Sequence, residues 1–469
     1  MKTDTCTAAL VQFRHRLYQN FTNRADTLME LVDALCSTRS ARSVVELCLA
    51  PCFRRTYSTL YKALAEWQCD QQQLARLLAP CLPRPTERSF WLFGVDVTPQ
   101  PRPFAHTLPD RSMVYQPNPV AGNSPVTIGH QYSTVALLPE ATVPRSSSWV
   151  VPLATARVAS AEDKEGVGAA QIDALLRDET LPFHDALCVE VADSKYSKPA
   201  YLHAHRQHAN LVTLVRVAAN RTFYRAAPAE AAPAKAGHPT WYGARFALSD
   251  PSTWPPADTH ARTQHVSRRG KRYRVEIMAW HNCLMRGQRT PKRLPMQRYP
   301  FTLLRIVFYD QAWRAAFGHP LWLIVVGERR PELNSFEIYH AYAKRYDLEH
   351  FFRFGKQHLL LAAFQTAESE REERWWQLAH LAYAQLWLAC DAVEALPRPW
   401  ERNLRAMRSG QISPTLAQRD FGRIIGQIGT PAQAPKRRGI SQGRRLGTRL
   451  VPRPRQKVVI KGHQQAQAP

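Results

Sequence analysis

The spacing of hydrophobic residues divides the chain into a helical first part and a β-rich second part. Between Thr7 and about residue 68, large apolar residues recur every three or four positions, which is the period of an amphipathic helix. After the stretch Pro83–Pro85, the pattern changes to short apolar runs separated by turns, which predicts strands. The sequence therefore predicts a helical N-terminal domain over residues 1–85.

The apolar runs after residue 85 follow the order β-β-β-α-β-α-β. The predicted strands are Phe90–Thr98, Tyr132–Leu138, Trp149–Val158, Ala186–Asp193 and Leu211–Val217, and the predicted helices are Ala169–Arg177 and Tyr201–Ala209. Antiparallel strands that lead into parallel ones in this order are typical of an RNase H-like mixed sheet. We therefore predict an α/β fold in which residues 86–217 form the first part of an RNase H-like catalytic core.

The second half of the chain interrupts this core and then completes it. Residues 218–320 are rich in Pro, Arg and Trp and contain short alternating runs, which predicts a β-rich insertion domain. The apolar strand Leu321–Val326 restarts the sheet, and a long helix over residues 335–358 and further helical segments follow it. Residues 321–395 would therefore form the second part of the core.

Residues 396–469 are predicted to be a basic C-terminal tail. No acidic residue follows Asp420, whereas eleven Lys or Arg residues do. Such a segment is expected to be disordered in isolation and to act as a nonspecific DNA clamp, although a solvated tail without function would have the same composition.

The net charge indicates the class of molecule that the protein binds, and the cysteine pattern indicates its redox compartment. Lys and Arg total 63 against 38 Asp and Glu, so the net charge of +25 favours a polyanion such as nucleic acid. The nine cysteines include no Cys-x-x-Cys pair and are expected to be free thiols in a reducing cytosol. No signal pattern or membrane-spanning window is present, so we expect a cytoplasmic protein without a membrane partner.

Residues 43–62 predict a helix, a tight break at Ala50 and Pro51, and a second helix, which is the outline of a helix-turn-helix. The candidate DNA contacts on its second helix are Arg54, Arg55, Tyr57, Tyr61 and Lys62. A plain helical hairpin with a solvated basic face would show the same pattern.

Four polar side chains share one face of the predicted helix over residues 337–357. At about 100° per residue, Tyr342, Arg345, Glu349 and Lys356 fall within a sector of about 60°. A carboxylate is a ligand for a hard metal ion, Arg and Lys bind phosphate oxygens, and Tyr donates a hydrogen bond. An ordinary solvated helix face is the alternative, because charged residues at this spacing are common.

The spacing Tyr-x2-Arg-x3-Glu-x6-Lys resembles the signature of a large group of bacterial insertion-sequence DDE transposases of the cut-and-paste type. Two apolar strands that end in Asp96 and Asp193 precede it, and the long β-type segment between Asp193 and Glu349 is similar to that family's insertion domain. The resemblance covers roughly residues 90–390.

The resemblance implies a DNA transposase that binds the terminal inverted repeats of an insertion sequence. It implies that Asp96, Asp193 and Glu349 are the catalytic residues and hold two Mg2+ ions, which Mn2+ can replace, for DNA cleavage and strand transfer. Pairing two DNA ends and a target DNA implies a dimer or a larger assembly, associated with the nucleoid in a bacterial cytosol.

The same resemblance implies that Tyr342, Arg345 and Lys356 contact the transposon-end strand. Trp322, on the strand that enters this helix, is similar in placement to a tryptophan that stacks a flipped base in some members of the family. A Trp that points into the core would fit the sequence equally well.

Two other functions remain open. An RNase H-like nuclease or resolvase would cleave DNA without strand transfer, but simple hydrolysis needs no Tyr-Arg-Lys set to hold a strand end. A catalytically inactive DNA-binding derivative is disfavoured because all three acidic residues are present.

Overall fold

The computed structural model describes residues 2–68, 70, 72–115, 125–141, 148–227, 241–267, 270–288, 294–395, 412–436, 447 and 452–460. The chain divides into two units. The first comprises Met1–Pro83, Val97–Val167 and Asp347–Pro469, and the second comprises Arg84–Asp96 and Gly168–Tyr346. Residues 396–411, 437–446, 448–451 and 461–469 of the predicted tail lie outside the described residues.

The first unit is mainly helical. Numbered along the chain, its helices are α1 (Lys2–Asn20), α2 (Ala25–Ser37), α3 (Tyr57–Glu66), α4 (Gln73–Leu78), α8 (Tyr346–His358), α9 (Ser369–Leu388), α10 (Cys390–Ala395) and α11 (Pro414–Ile428). Helix α2 packs against both α9 and α11. The N-terminal helices therefore share a hydrophobic core with helices from the end of the chain.

Helix α11 lies within the predicted basic tail, and the expectation of disorder after Asp420 is wrong for residues 421–428. The Ser413 hydroxyl caps the helix by accepting a hydrogen bond from the Leu416 amide, and Gly429 ends it with a φ of 76°. Ala417, Phe421 and Ile424 repeat at helical spacing and are fully buried. Burial of this apolar face stabilises α11 despite the basic composition around it.

A second part of the predicted tail also contacts the first unit. The amides of Gln456 and Val459 donate to the carbonyl oxygens of His106 and Arg111 over 2.8 Å. The guanidinium of Arg453 lies 2.6 Å from the carboxylate of Glu368. Residues 452–460 are therefore held by backbone hydrogen bonds to residues 106–111 and by an ion pair with Glu368.

The strands of the first unit are antiparallel. They are β2 (Ser112–Tyr115), β3 (Val126–Leu137) and β4 (Val151–Val158), with β3 paired to both neighbours. Strand β1 (Trp91–Pro101) begins in the second unit and ends in the first. The short strand β2 is absent from the prediction.

The second unit contains a seven-stranded mixed sheet among its described residues. Strands β1, β5 (Cys188–Ala192) and β6 (Leu211–Val217) are parallel. Antiparallel strands continue the sheet in the order β12 (Leu321–Val326), β11 (Phe301–Tyr309), β10 (Arg272–Cys283) and β9 (Thr259–Val266). This arrangement confirms the predicted α/β fold with a large mixed sheet.

Other elements of the second unit flank this sheet or stand apart from it. Strands β7 (Thr222–Ala226) and β8 (Tyr242–Ala247) pair separately, and the helices are most of α5 (Lys164–Arg177), α6 (Pro199–Ala204) and α7 (Ser335–Ala343). All five residues of β5 are buried, as expected for a parallel strand covered on both faces.

The prediction of one long helix over residues 335–358 is wrong, because the helix is interrupted. Asn334 and Glu337 form a capping box that starts α7, which ends at Ala343, and α8 begins only at Tyr346. At the break, the Arg345 amide donates a hydrogen bond to the carbonyl oxygen of Tyr342, three residues earlier. This i to i−3 bond makes a tighter turn than the i to i−4 bond of an α-helix. The four signature residues therefore do not share one continuous helix face.

Buried Glu372 of α9 joins helix to sheet in the first unit. Its carboxylate lies 2.9 Å from the Arg102 guanidinium and accepts hydrogen bonds from His130 over 2.7 Å and from Tyr132 over 2.9 Å. Burial favours a higher pKa for Glu372, but the hydrogen bond from His130 and the charges of His130 and Arg102 bring the pKa below its usual value.

We predict that Glu372→Ala lowers the free energy of unfolding by about 3–5 kcal/mol, because it leaves the buried Arg102 charge unpaired. The control is Glu370→Ala on the same helix, where an 83% exposed carboxylate pairs with Arg374 and the expected loss is below about 1 kcal/mol. Urea denaturation of both variants measures the difference. Equal stabilities would show that the Glu372 network contributes little.

Candidate active site

The two predicted catalytic aspartates lie on neighbouring parallel strands of the second unit, Asp96 in the middle of β1 and Asp193 directly after β5. Four consecutive residue pairs of β1 and β5, beginning with Trp91 opposite Cys188, share one register. Extended by two residues, that register would place Asp96 opposite Asp193. Paired residues of adjacent parallel strands point to the same face and are about 4.8 Å apart, so this register favours both carboxylates on one side of the sheet.

The segment after Asp193 is held by a buried polar network that sequence reasoning missed. Glu190 on β5 is fully buried, and its carboxylate accepts hydrogen bonds from Tyr201 and, over 3.3 Å, from Thr213. His205 Nδ1 lies 2.9 Å from the same carboxylate. A charged residue inside an apolar strand requires buried partners, and that signal could have predicted the network.

This network fixes the backbone that follows the aspartate. Tyr201 and His205 belong to the helical segment that comes after Asp193, whereas Glu190 and Thr213 are on strands β5 and β6. The Asp193 carboxylate itself accepts a hydrogen bond from the Lys195 amide over 2.8 Å, which starts a 3-10 turn. Glu190 projects from the face opposite to Asp193, consistent with its exclusion from the predicted catalytic set.

Arg345 and Tyr342 also lie at this end of the sheet. Arg345 Nη1 is 3.4 Å from Asp96 Oδ2. Burial raises the pKa of the Tyr342 phenol, while the positive charges of Arg345 and Arg216 oppose this increase and the Asp193 charge adds to it. The second unit thus brings two carboxylates, a guanidinium and a phenol into one cluster.

The other two signature residues belong to the first unit. Glu349 and Lys356 are seven residues apart on α8 and therefore project from nearly the same helix face. Lys356 Nζ donates to Thr98 Oγ1 over 2.7 Å and to the carbonyl oxygen of Pro99 over 3.1 Å. Burial lowers the pKa of this ammonium to about 8. Among the residues that the structure describes, no group of three or more His, Cys, Asp or Glu side chains is close enough to hold a metal ion.

A family model described as DDE superfamily endonuclease matches residues 16–286, which is more than half of the chain. The chain belongs to this DDE superfamily endonuclease family. No match was found among curated proteins. The matched region of this DDE endonuclease includes Asp96 and Asp193 and ends before Glu349. The assignment supports an RNase H-like core and an enzyme that cuts phosphodiester bonds in DNA.

The described part of this DDE endonuclease has no helix that is long and apolar enough to cross a membrane. Helices α2, α3 and α4 lie inside the matched region, whereas most of α1 precedes it.

The predicted helix-turn-helix of this endonuclease is only partly helical. Its first element is a single 3-10 segment, Val45–Leu49, and α3 begins at Tyr57 rather than at Phe53. Arg54 and Arg55 therefore precede the helix on which they were expected. Tyr57 is 61% exposed, Lys62 is exposed, and Tyr61 stacks on Phe364.

The two arginines bind a buried carboxylate of α2. Arg54 Nε lies 2.7 Å from Glu30 Oε1, and Arg55 pairs with Glu30 and, over 3.4 Å, with Asp26. Glu30 is fully buried, so it requires this compensation. The contacts favour a structural role for Arg54 and Arg55 and leave Tyr57 and Lys62 as candidates for DNA contact.

Trp322 lies in a packed aromatic cluster of the endonuclease. Its side chain is 1% exposed, and its ring centroid lies 5.2 Å from that of Trp254, 5.9 Å from that of Trp280 and 6.4 Å from that of Phe246. Such enclosure favours the core alternative over stacking of an extruded base.

Trp322 also projects away from the cluster around Asp96. It pairs with Val217 on β6, whereas Leu323 pairs with Arg216, the residue whose charge acts on Tyr342. Because successive strand residues point to opposite faces, Trp322 and Arg216 are on opposite sides of the sheet. The structure therefore does not support the base-stacking role that the resemblance implies for Trp322 beside Tyr342.

We predict that Trp322→Ala lowers the free energy of unfolding by about 3–5 kcal/mol, because it leaves a cavity in the aromatic cluster. Trp322→Phe should lower the free energy of unfolding by a smaller amount, since it keeps an aromatic ring in place. Chemical denaturation measures both, and single-turnover DNA cleavage at a temperature where the variants are folded should proceed at the wild-type rate. A slow variant of normal stability would restore the base-stacking role.

Proposed function

We propose that this DDE endonuclease is a transposase that cleaves DNA at the terminal inverted repeats of an insertion sequence and transfers the cut strand to target DNA. The proposal assigns Asp96, Asp193 and Glu349 as the catalytic carboxylates. The observation that carries it is the common register of the paired strands β1 and β5, which favours Asp96 opposite Asp193, with the guanidinium of Arg345 beside Asp96.

The donor set suits Mg2+, and Mn2+ as its substitute. Asp96 and Asp193 supply hard carboxylate oxygens from adjacent strands, and the proposal adds Glu349 as the third ligand for two ions. When bound, such ions supply the activation of a water or 3′-hydroxyl and the stabilisation of the leaving oxygen. Asp96 and Asp193 would be held for this role by β1, β5 and the buried Glu190 network.

The basic residues near the aspartates are suited to hold a DNA strand. Arg345 can bind a phosphate oxygen through one N–H edge while its charge offsets the carboxylate of Asp96. The Tyr342 phenol can donate to the same phosphate. Lys356 would contact the backbone of the strand end, and the negative charge of DNA would favour its protonated form.

The Tyr-Arg-Lys set supports strand transfer, because joining requires the enzyme to retain the cut strand. A nuclease or resolvase of the same fold is the second candidate, supported by the family assignment alone. Incubation of a labelled terminal repeat with target plasmid distinguishes them. A transposase yields joined products and requires at least a dimer for paired ends, whereas a nuclease yields only cut ends.

We predict that Asp96→Ala, Asp193→Ala and Glu349→Ala each reduce cleavage by roughly a thousandfold or more, because each removes a metal ligand worth several kcal/mol to the transition state. Binding of DNA ends should remain nearly intact, since phosphate contacts supply most of the affinity. Nicking with Mg2+ and gel-shift binding are measured on the same preparations, with the inverted repeat taken from the DNA that flanks the coding region.

Asp173→Ala is the matched control, because this carboxylate of α5 pairs with Arg177 and His208 on the surface of the second unit. It should cut DNA at the wild-type rate. Robust nicking by any of the three test variants would remove that residue from the catalytic set.

A second prediction concerns recognition of the DNA end. Deleting residues 1–80 would expose the core shared with α9 and α11, so point variants are the cleaner test. Tyr57→Ala combined with Lys62→Ala should reduce the preference for the inverted repeat over a scrambled duplex by roughly tenfold, because base and backbone contacts are lost at exposed positions. Competition binding measures this ratio.

Arg76→Ala provides the control for loss of one exposed charge, and it should leave the preference unchanged. An unchanged preference in the Tyr57 and Lys62 variant would place end recognition outside α3.

A further inference from the structure

The strands β9, β10 and β11 present a row of polar side chains to solvent. On β10, Arg272, Arg274 and Glu276 alternate with the largely buried face that contains Val275. Arg274 lies opposite Tyr309 of β11, and Glu276 lies opposite Arg262 of β9. We call this row, together with Trp313 above it, the arginine face.

Trp313 is held over this face by the hairpin between β11 and β12. Its side chain is 47% exposed, and the Cζ atoms of Arg262 and Arg274 lie 5.3 and 4.8 Å from its ring centroid. The Asp310 carboxylate fixes the turn by accepting from the amides of Ala312 over 2.8 Å and Arg314 over 3.0 Å. Trp313 adopts a φ of 61°, which is unusual for a residue other than Gly.

The charge of the arginine face is strongly positive. Among the described residues of β9, β10 and β11, this face carries Arg262, Arg272 and Arg274 and one carboxylate, that of Glu276. Glu276 is already satisfied by hydrogen bonds from His260, Arg262 and Tyr309. The guanidinium groups therefore outnumber the carboxylate that they surround.

The contacts with Trp313 prepare two arginines to bind phosphate. A guanidinium stacked on an indole has reduced side-chain freedom and keeps N–H donors at its edge. Such edges bind phosphate oxygens in the bidentate manner that suits arginine. An exposed Trp held between two arginines on a basic sheet is therefore complementary to the backbone of DNA, which has one negative charge per about 1.7 Å.

We propose that the arginine face is a second DNA-binding surface, which holds duplex DNA by its phosphates through Arg262 and Arg274, with Trp313 ordering both side chains. The proposal rests on the proposed function, since it assumes a DNA substrate. Tyr339 of α7 packs against Phe308, on the opposite face of the sheet. The duplex bound here is thus a segment separate from the strand near Asp96 and Asp193.

The first test is the double variant Arg262→Ala/Arg274→Ala, compared with Arg177→Ala/Arg329→Ala, which removes two ion-paired surface arginines elsewhere in the same unit. Binding of a 40-base-pair duplex is measured from 50 to 200 mM salt. Affinity falls as salt rises, and loss of two phosphate contacts should make the slope of log affinity against log salt less negative by about 2. The decrease in affinity over this range then becomes about tenfold smaller. The control pair should retain the wild-type slope.

The second test is Trp313→Ala, which keeps every charge. It should weaken binding by roughly fivefold, because the two cation–π contacts no longer order the arginines. Trp313→Phe should restore part of this loss, and all variants should keep the thermal midpoint of the wild type. Variants that bind DNA as the wild type does would overturn the proposal, as would a fall in stability without a change in the salt slope.

These outcomes are separable from failure of the proposed function. If the wild type nicks inverted-repeat DNA and the arginine-face variants bind normally, only the second surface is rejected. If the wild type neither binds nor cuts DNA, the proposed function fails and the second surface fails with it.

Discussion

The parallel pairing of β1 and β5 is the constraint on which the proposed site depends. Asp96 and Asp193 are far apart in the chain, and only the backbone register of these strands puts them at one level of the sheet. A slip of one residue would turn one carboxylate to the opposite face. Continuous burial of β5 and its pairing with β6 on the other side hold that register, so the hydrophobic core of the second unit also sets the geometry of the carboxylates.

Electrostatics at this end of the sheet fit a site for phosphate chemistry. The charge of Asp96 is partly balanced by Arg345. The Asp193 carboxylate is oriented by the Lys195 amide, and the backbone around Asp193 is held by the Glu190 network. A carboxylate with a fixed backbone loses little freedom when it binds a metal ion. The DDE endonuclease family assignment and this local order therefore support the same chemistry from independent observations.

The two faces of the sheet in the second unit have different roles. One face packs against α7, the helix that contains Tyr342. The other face carries Trp322 and its aromatic neighbours and, on β9 and β10, the arginine face. Alternation along each strand enforces this separation. In the first unit, the buried carboxylate of Glu30 binds Arg54 and so joins α2 to the segment before α3, whereas buried Glu372 binds Arg102 and so joins α9 to the end of β1.

The sequence by itself determined the α/β class, the strand Leu211–Val217 and the apolar strand segments that precede both aspartates, because these follow from apolar runs and local turns. Only the tertiary structure decided that Trp322 is buried, that Arg54 and Arg55 bind Glu30, and that the helix breaks before Tyr346. The helix α11 had local signals in Ser413, Gly429 and its apolar spacing, but the basic composition obscured them. The remaining differences depend on partners distant in the chain, and a local pattern contains no information about which distant residue will neutralise a charge or cover an aromatic ring.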